Sequence, residues 1–568
     1  MRIIVREYLG MLKESGEFDA LLPDLLREMQ LVPLSSPQTG VRQGGVDLAA
    51  VGNDAAGIRS LWLFVLKRGD IGRRDWDSQP QSIRPSLDEI EDLYLRNHVA
   101  PEHQSLPVIV IIATTGDFKQ EVQQNLVGYA ERSGRNRITY EFWNGDKVAA
   151  LIEQYLLTEH ALPAPARSQL RRALALVAEP EYDLEHYFAL LTDLLAWEPN
   201  DPATAAKQTR TRVRALATVH LALGILCRWA AADNNLRNAL LASERTLLWG
   251  WDAIRKHEMT QNQEISDAFV RLVDTYLEIS VEYFNKVQAH LHTHNAVARY
   301  FRESALLTER VFEEIGFAGS IGIAHLLFGL ATKNQQTVIG ANAIGETLHA
   351  FLKTHPIAGS PCYDNQCIDI SLGLMLLCFT KRQEAAKAWL NELANRLDYA
   401  YRVGKWFPIS TDSFDDLVAF EMERNEIDLE KLKSMSWMIP TLAQWCAVLG
   451  ADDAYVRLVG VRQDAMKDTC CQLWYPDELT DAFRYRGPAI HESGISDAPT
   501  ELPDTAEEMR EQIRGTRTDS PVKDQIATSA AQAGLPFLDF IACRHFRTPM
   551  DPAFWQKQLT ELSPQATR

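Results

Sequence analysis

The spacing of apolar residues changes character along the chain. In the first 160 or so residues, short period-two and unbroken apolar runs alternate with stretches of helical period. Phe18, Leu21, Leu22, Leu25, Leu26 and Met29 recur at helical spacing and predict a helix over 18–29. A short strand is expected at 31–34, then a polar turn segment, SSPQTGVRQGG. VDLAAV and LWLFVLK read as strands joined by GNDAAG. SLDEIEDLYLRNH reads as a helix with Ser86 as N-cap and Glu89 at the capping-box position. PVIVIIAT is an unbroken apolar run of the kind found in a fully buried strand. The helix FKQEVQQNLVGYAERSG, the strand RITYEFW, an NG turn and the helix DKVAALIEQYLL complete the segment. The alternation predicts a mixed or largely parallel sheet with helices on its faces.

After the Pro/Ala-rich TEHALPAPARSQ the period is helical and no strand is expected. Helices are predicted over 168–176, 184–196, 204–232, 236–256, 266–290 and 295–314, with more between 341 and 449. No repeat of roughly 34–47 residues stands out. The expected architecture is an α/β domain over 1–160 followed by a large all-α array over 168–568. The array is irregular or a solenoid, in one or two subdomains. A Pro/Gly-rich stretch near 475–522 reads mainly as loop. The apolar segment LPFLDFIACRHFRTPMDPAFW is expected to dock on the helical body.

A chain of 568 residues implies about two to four domains. A net charge of −18 excludes a uniformly basic nucleic-acid binder but allows local basic patches. The eight cysteines show no repeated spacing, and Cys362 and Cys367 have no second pair to complete a zinc site. They read as reduced core residues of a cytoplasmic protein. The N-terminus is amphipathic and charged, unlike a signal peptide. The apolar runs 216–227 and 370–379 fall short of the ~20 residues of a membrane span, so no membrane is expected.

Chemistry concentrates in GGVDLAAVG and LWLFVLKRGD. Strand alternation puts Asp47 on the face of Ala49 and Val51, and Lys67 on the face of Val65. If the two strands are neighbours, Asp47 and Lys67 meet at a sheet end. The ordered set Phe18-Asp19, Gly45-Val46-Asp47 and Val65-Leu66-Lys67 resembles the PD-(D/E)xK nuclease superfamily, most closely the Mrr-type restriction endonucleases. In those a helix opens with Phe-Glu, a strand carries Gly-x-Asp and the next carries Gln-x-Lys or Glu-x-Lys. IIATTGDFKQEVQQNLVGYAERSG and WNGDKVAALIEQ extend the likeness, which covers about residues 18–155.

The resemblance implies an endodeoxyribonuclease using Mg²⁺ or Mn²⁺, of the kind used in bacterial anti-phage defence. It implies DNA at the N-terminal domain and a homodimer where both strands are cut, and beside it the helical domain is expected to sense, to assemble or to bind a protein partner. Asp47 is then a metal ligand, Lys67 orients water and stabilises phosphate charge, and Asp19 adds a further oxygen. Val65 stands where the family carries an acid or glutamine. Either Glu89 or Asp92 supplies the missing carboxylate, or the domain is an inactive scaffold and the helical domain binds the partner.

Arg68, Arg73, Arg74 and Arg84 follow Lys67 and are the candidate DNA contacts; Arg132, Arg135 and Arg137 form a second basic group. Trp76 lies among the first and could stack on a base. Blander readings stand beside these: a structural Asp47–Lys67 ion pair, a capping Glu89 and solvated arginines. His290, His292 and His294 lack a carboxylate partner, His545 reads as a packing residue, and Trp229, Trp249 and Trp251 read as helix packing.

Overall fold

The computed structural model describes residues 1–12, 17–35, 44–54, 56–78, 82–133, 137–156, 162, 164–179, 182–297, 304–404, 413–422, 434–487, 493–519 and 528–557. The chain forms two compact units, Met1–Ala242 and Ser243–Arg568. The expected turn at 36–43, Arg135 and most of the Pro/Ala-rich boundary lie outside the described residues.

The first unit opens with α1 (Arg2–Met11) and α2 (Asp19–Glu28). Then come β1 (Val32–Pro33), β2 (Leu48–Asn53), β3 (Arg59–Lys67), α3 (Arg73–Asp77), α4 (Ile83–Glu89), β4 (Val108–Thr114), α5 (Gln120–Ser133), β5 (Ile138–Trp143) and α6 (Gly145–Tyr155). The five strands lie in chain order in one sheet. β1, β2 and β3 are antiparallel neighbours, and β3–β4 and β4–β5 run parallel. The sheet is therefore mixed, with its parallel part covered by helices. The β2–β3 turn is closed by Asp54, whose carboxylate accepts the N–H groups of Ala56 and Ile58 at 2.9 and 2.8 Å.

Every residue of β4 is buried, as its unbroken apolar run requires. One apolar cluster joins Ala49, Leu63, Val65 and Ile112 of the sheet to Trp76, Ile83, Leu87 and Val122 of α3, α4 and α5. Each fully buried aliphatic side chain there contributes roughly 1.5–3 kcal/mol over its exposed state.

The helix expected from Ser86 starts earlier. α4 begins at Ile83, Ser82 takes the N-cap position, and the Ser86 hydroxyl donates to the Ser82 carbonyl at 3.0 Å. Glu89 ends this segment and so forms no capping box. The helix then widens over Ile90–Tyr94 into a π-turn, with the Leu95 N–H bonded to the Ile90 carbonyl. The unit continues through α7 (Ala164–Leu176), α8 (Glu185–Leu195) and α9 (Ala205–Ala232), and α1 packs on α6 and α9.

The division between units falls inside α10 (Leu236–Lys256). The second unit contains α11 (Gln263–Leu291), α12 (Ser304–Thr332), α13 (Gln335–Thr354), α14 (Cys367–Phe379) and α15 (Gln383–Tyr399). β6 (Met435–Ser436), α16 (Met438–Leu449), α17 (Asp452–Asp464), β7 (Cys470–Cys471) and β8 (Leu473–Tyr475) follow. β9 (Ile495–Asp497), α18 (Ala506–Asp519) and α19 (Phe537–Phe546) follow.

Three expectations are corrected here. The helix expected over 295–314 is α12, which runs on to Thr332. It continues through glycines because they are where α14 approaches: a Cβ at Gly316, Gly319 or Gly322 would lie 2.0 Å from Asp369 Oδ1, 2.7 Å from Leu372 and 2.6 Å from Leu376. Strands do occur after residue 168, since β6 pairs with β7 and β8 with β9. The stretch near 475–522 holds β9 and α18 as well as loop.

The C-terminal segment docks as expected, with Trp555 stacked on Trp445 at 5.8 Å. All eight cysteines are free, five of them buried. Among the described residues, two helices, Pro202–Ala232 and Leu307–Thr332, are long and apolar enough to cross a membrane, but 67% and 78% of their apolar windows are buried within the fold.

Candidate active site

Asp47 sits where β2 begins. Leu48 is paired with Phe64, yet the Asp47 N–H also reaches the Phe64 carbonyl, at 2.9 Å. Two residues of one strand thus face one of the other, which is a β-bulge. Val46 and Ala49 both enter the same apolar cluster, so strict alternation breaks between them. The expectation that Asp47 simply shares the face of Ala49 and Val51 is corrected by this bulge. The freed Asp47 carboxylate turns to β3 and accepts the Leu66 N–H at 2.7 Å.

The glycines before Asp47 make the bulge possible. Gly44 and Gly45 have φ of +62° and +82°, where an L side chain is strained. A Cβ on Gly45 would lie 2.1 Å from the Ser86 carbonyl oxygen. The Gly45-Val46-Asp47 motif therefore depends on its glycine for close packing on α4.

Burial pushes the Asp47 pKa above the usual carboxylate range. The Leu66 N–H and the Lys67 charge pull it back, and the Asp19 charge raises it further. Asp19 and Lys67 thus both fall within electrostatic reach of Asp47. Asp19 opens α2, and its Oδ1 is buried with no hydrogen-bond partner. Among the described residues Lys67 makes no ion pair, so the expected alternative of an Asp47–Lys67 ion pair is not formed. The donor set is two carboxylates, one oxygen of which has no hydrogen-bond partner among the described residues, beside an ammonium that makes no ion pair among them. It fits a hard divalent cation that keeps part of its water.

Other groups hold the frame. Thr114 Oγ1 donates to the Gly69 carbonyl at 2.6 Å and Thr115 Oγ1 accepts the Gly69 N–H at 2.9 Å. The loops after β3 and β4 are zipped together behind Lys67. Arg6 of α1 clamps the same end, donating to the Thr115 carbonyl and pairing with Asp117 and Asp146, each at 2.9 Å. Arg6 was missed as a positioning residue, because nothing in its local sequence sets it apart.

Val65 is fully buried in the apolar cluster and cannot be replaced functionally from its own position. The charges acting on Asp47 are those of Lys67 and Asp19, and neither Glu89 nor Asp92 is among them. Glu89 is half-buried and Asp92 exposed. Among the described residues no group of three or more His, Cys, Asp or Glu gathers as a metal set.

All four of Arg68, Arg73, Arg74 and Arg84 are exposed, and Arg84 also makes a surface pair with Asp77 at 2.9 Å. Trp76 does not reach solvent to stack on a base: it is buried and meets Tyr129 edge-on at 5.8 Å. Arg137 donates to the Ser105 carbonyl at 2.9 Å. His290, His292 and His294 are exposed. His545 is a buried packing residue, as expected, with Nδ1 2.9 Å from Glu244 and Nε2 receiving Arg245 at 2.8 Å. Trp251 packs on Phe269, while Trp229 lies at the surface instead of in the helix core.

No protein-family model, no curated protein and no solved structure matches the chain.

Proposed function

We propose that the N-terminal α/β region is a metal-dependent phosphodiesterase acting on DNA, with Asp19, Asp47 and Lys67 as its working residues. The observation that carries this reading is the orphaned, buried Asp19 oxygen within electrostatic reach of a burial-strained Asp47. Burying two like charges together is unfavourable unless something positive offsets them. A carboxylate raised by burial, with a second carboxylate and a lysine acting on it, is a marker of functional sites.

Asp47 and Asp19 would hold Mg²⁺ or Mn²⁺, which when bound acts as a Lewis acid on a phosphoryl oxygen and acidifies water. Asp47 stays fixed by the Leu66 N–H while its other oxygen is free to bind. Lys67 orients the attacking water and balances the charge that grows on the phosphate oxygens. The water oxygen bonds to phosphorus, the bond from phosphorus to the sugar oxygen breaks, and that oxygen takes up a proton. Arg68, Arg73 and Arg74 hold the backbone on either side. Arg84 contributes little, being already paired with Asp77.

In this reading the protein works in the cytoplasm in defence against foreign DNA, and its helical unit senses the trigger or binds a protein partner. A homodimer would bring two sites to the two strands. The test is Mn²⁺ binding together with cleavage of plasmid DNA by the full chain. Binding of one ion and cutting that EDTA abolishes support the proposal, and an inability to bind the ion counts against it.

A second reading is favoured by Val65, whose burial leaves the second strand without a ligand. There the fold is an inactive scaffold, and Asp47→Asn or Lys67→Ala leaves biological activity unchanged.

A further inference from the structure

A pocket of about 460 Å³ is lined in part by Val46, the residue next to Asp47 in the chain. Val46 and Val99 give it apolar walls, and Tyr94, His98, Glu102 and His103 bring polar groups to it. This volume falls in the roughly 300–1,000 Å³ range of small-molecule sites, and apolar walls with a few converging polar groups are their usual lining.

Two features of the backbone build this pocket. The π-turn over Ile90–Tyr94 ends on Tyr94, and such turns recur at functional sites because they re-aim a side chain. Tyr94 then stacks on His98, with ring centroids 5.6 Å apart and planes 27° from parallel. Gly44 lies against both rings: a Cβ there would be 3.5 Å from Tyr94 and 3.7 Å from His98. The Gly44–Gly45 turn that bulges Asp47 out is thus also the floor of the aromatic pair.

The polar groups suit a heterocycle better than a hydrocarbon. The Tyr94 phenol is a protonated donor at neutral pH, as its ordinary pKa near 10 requires, and burial raises that pKa further. Glu102 is exposed and offers a carboxylate acceptor, 3.5 Å from the Nε2 of the buried His103. A stacked aromatic pair presents a π-face that every base can meet.

We propose that this pocket binds a nucleobase, stacked on the Tyr94–His98 pair and contacted at its edge by Glu102 and His103. Its placement as the subsite for a base beside the scissile phosphate rests on the phosphodiesterase reading. Base binding itself does not, since it needs neither metal nor cleavage.

The experiment titrates the full chain, in EDTA, with adenosine, guanosine, cytidine and thymidine by calorimetry, and with cyclohexanol as a saturated ring. At least one nucleoside binds saturably, and Tyr94→Leu with His98→Ala weakens it about tenfold or more. Tyr94→Phe and His98→Phe, which keep the rings, retain most of the affinity. If the double variant does not fold, Tyr94→Leu alone is compared at a matched melting temperature. The proposal is overturned if no nucleoside binds, if the ring-deleting variants bind as well as the parent, or if cyclohexanol binds as tightly. DNA cutting without nucleoside binding removes the base pocket and leaves the phosphodiesterase standing, and nucleoside binding without cutting does the reverse.

Discussion

The Asp47 carboxylate accepts the Leu66 N–H at 2.7 Å, taking the place of a ladder carbonyl at the end of β2 and β3. A main-chain donor therefore positions a buried acid that the surrounding protein would otherwise prefer neutral. The raised pKa of Asp47 means that the folded state holds its proton to a higher pH than the unfolded chain does. As pH rises through the folded pKa, the Asp47 charge costs stability. Asp47→Asn keeps an acceptor for Leu66 and removes the charge. It is expected to raise the melting temperature at pH 7, on the order of 1–3 °C, while abolishing metal-dependent activity. Differential scanning fluorimetry beside an activity assay checks this, and a fall in melting temperature contradicts it.

The exposed arginines are expected to act through phosphate charge alone. Arg68→Ala, Arg73→Ala and Arg74→Ala together should weaken DNA binding evenly across sequences and flatten its salt dependence, by a slope of about 0.9 for each phosphate no longer neutralised. Arg84→Ala should change both little, because Arg84 is engaged by Asp77. Fluorescence anisotropy over a salt series distinguishes the two.

A buried histidine gives the second unit an acid sensitivity. His325 is held neutral by burial, its pKa lowered to about 4, with Nε2 2.9 Å from Ser280 Oγ. Below the unfolded histidine pKa near 6.5, the unfolded chain takes up a proton that the folded one refuses. Stability is therefore lost as pH falls from about 6.5 to about 4, by roughly 3 kcal/mol from this group. Urea melts at pH 7 and pH 4.5 should show this, and His325→Asn should lose that part of the dependence.

The C-terminal helix is pinned by buried charge. Arg544 and His545 both engage Glu244, and Arg547 pairs twice with Asp369 at 2.8 Å. Glu244→Gln leaves Arg544 buried without its counter-charge and should cost about 3–5 kcal/mol. Arg547→Ala should cost a similar amount by stranding Asp369. Denaturant unfolding reads both, and a loss below about 1 kcal/mol contradicts the burial of these charges.

The sheet was legible because its signals are local. β2, β3 and β4 each carry an apolar run that only a buried strand uses, and their order brought Asp47 and Lys67 to one end. What escaped depends on distant packing. Ser86 was read as the N-cap, yet α4 begins at Ile83 with Pro85 in its first turn, where proline is tolerated. The helix expected to end at 314 runs on through Gly316, Gly319 and Gly322, where α14 packs against it. Asp47 was found by its motif, but its bulge follows from main-chain bonding that residue spacing does not encode. The Glu244–Arg544 and Asp369–Arg547 pairs join positions far apart in the chain, with no pattern to announce them.

In the proposed function Asp19, Asp47 and Lys67 together cut phosphodiester bonds. Its most direct test is the rate of plasmid and phage DNA cleavage by the full chain with Mg²⁺ or Mn²⁺, set against Asp47→Asn and Lys67→Ala proteins of unchanged fold. The expected result is metal-dependent cutting that falls by about 10²–10³-fold or more in each variant. Intact DNA in every sample, or cutting that survives both substitutions, contradicts this function.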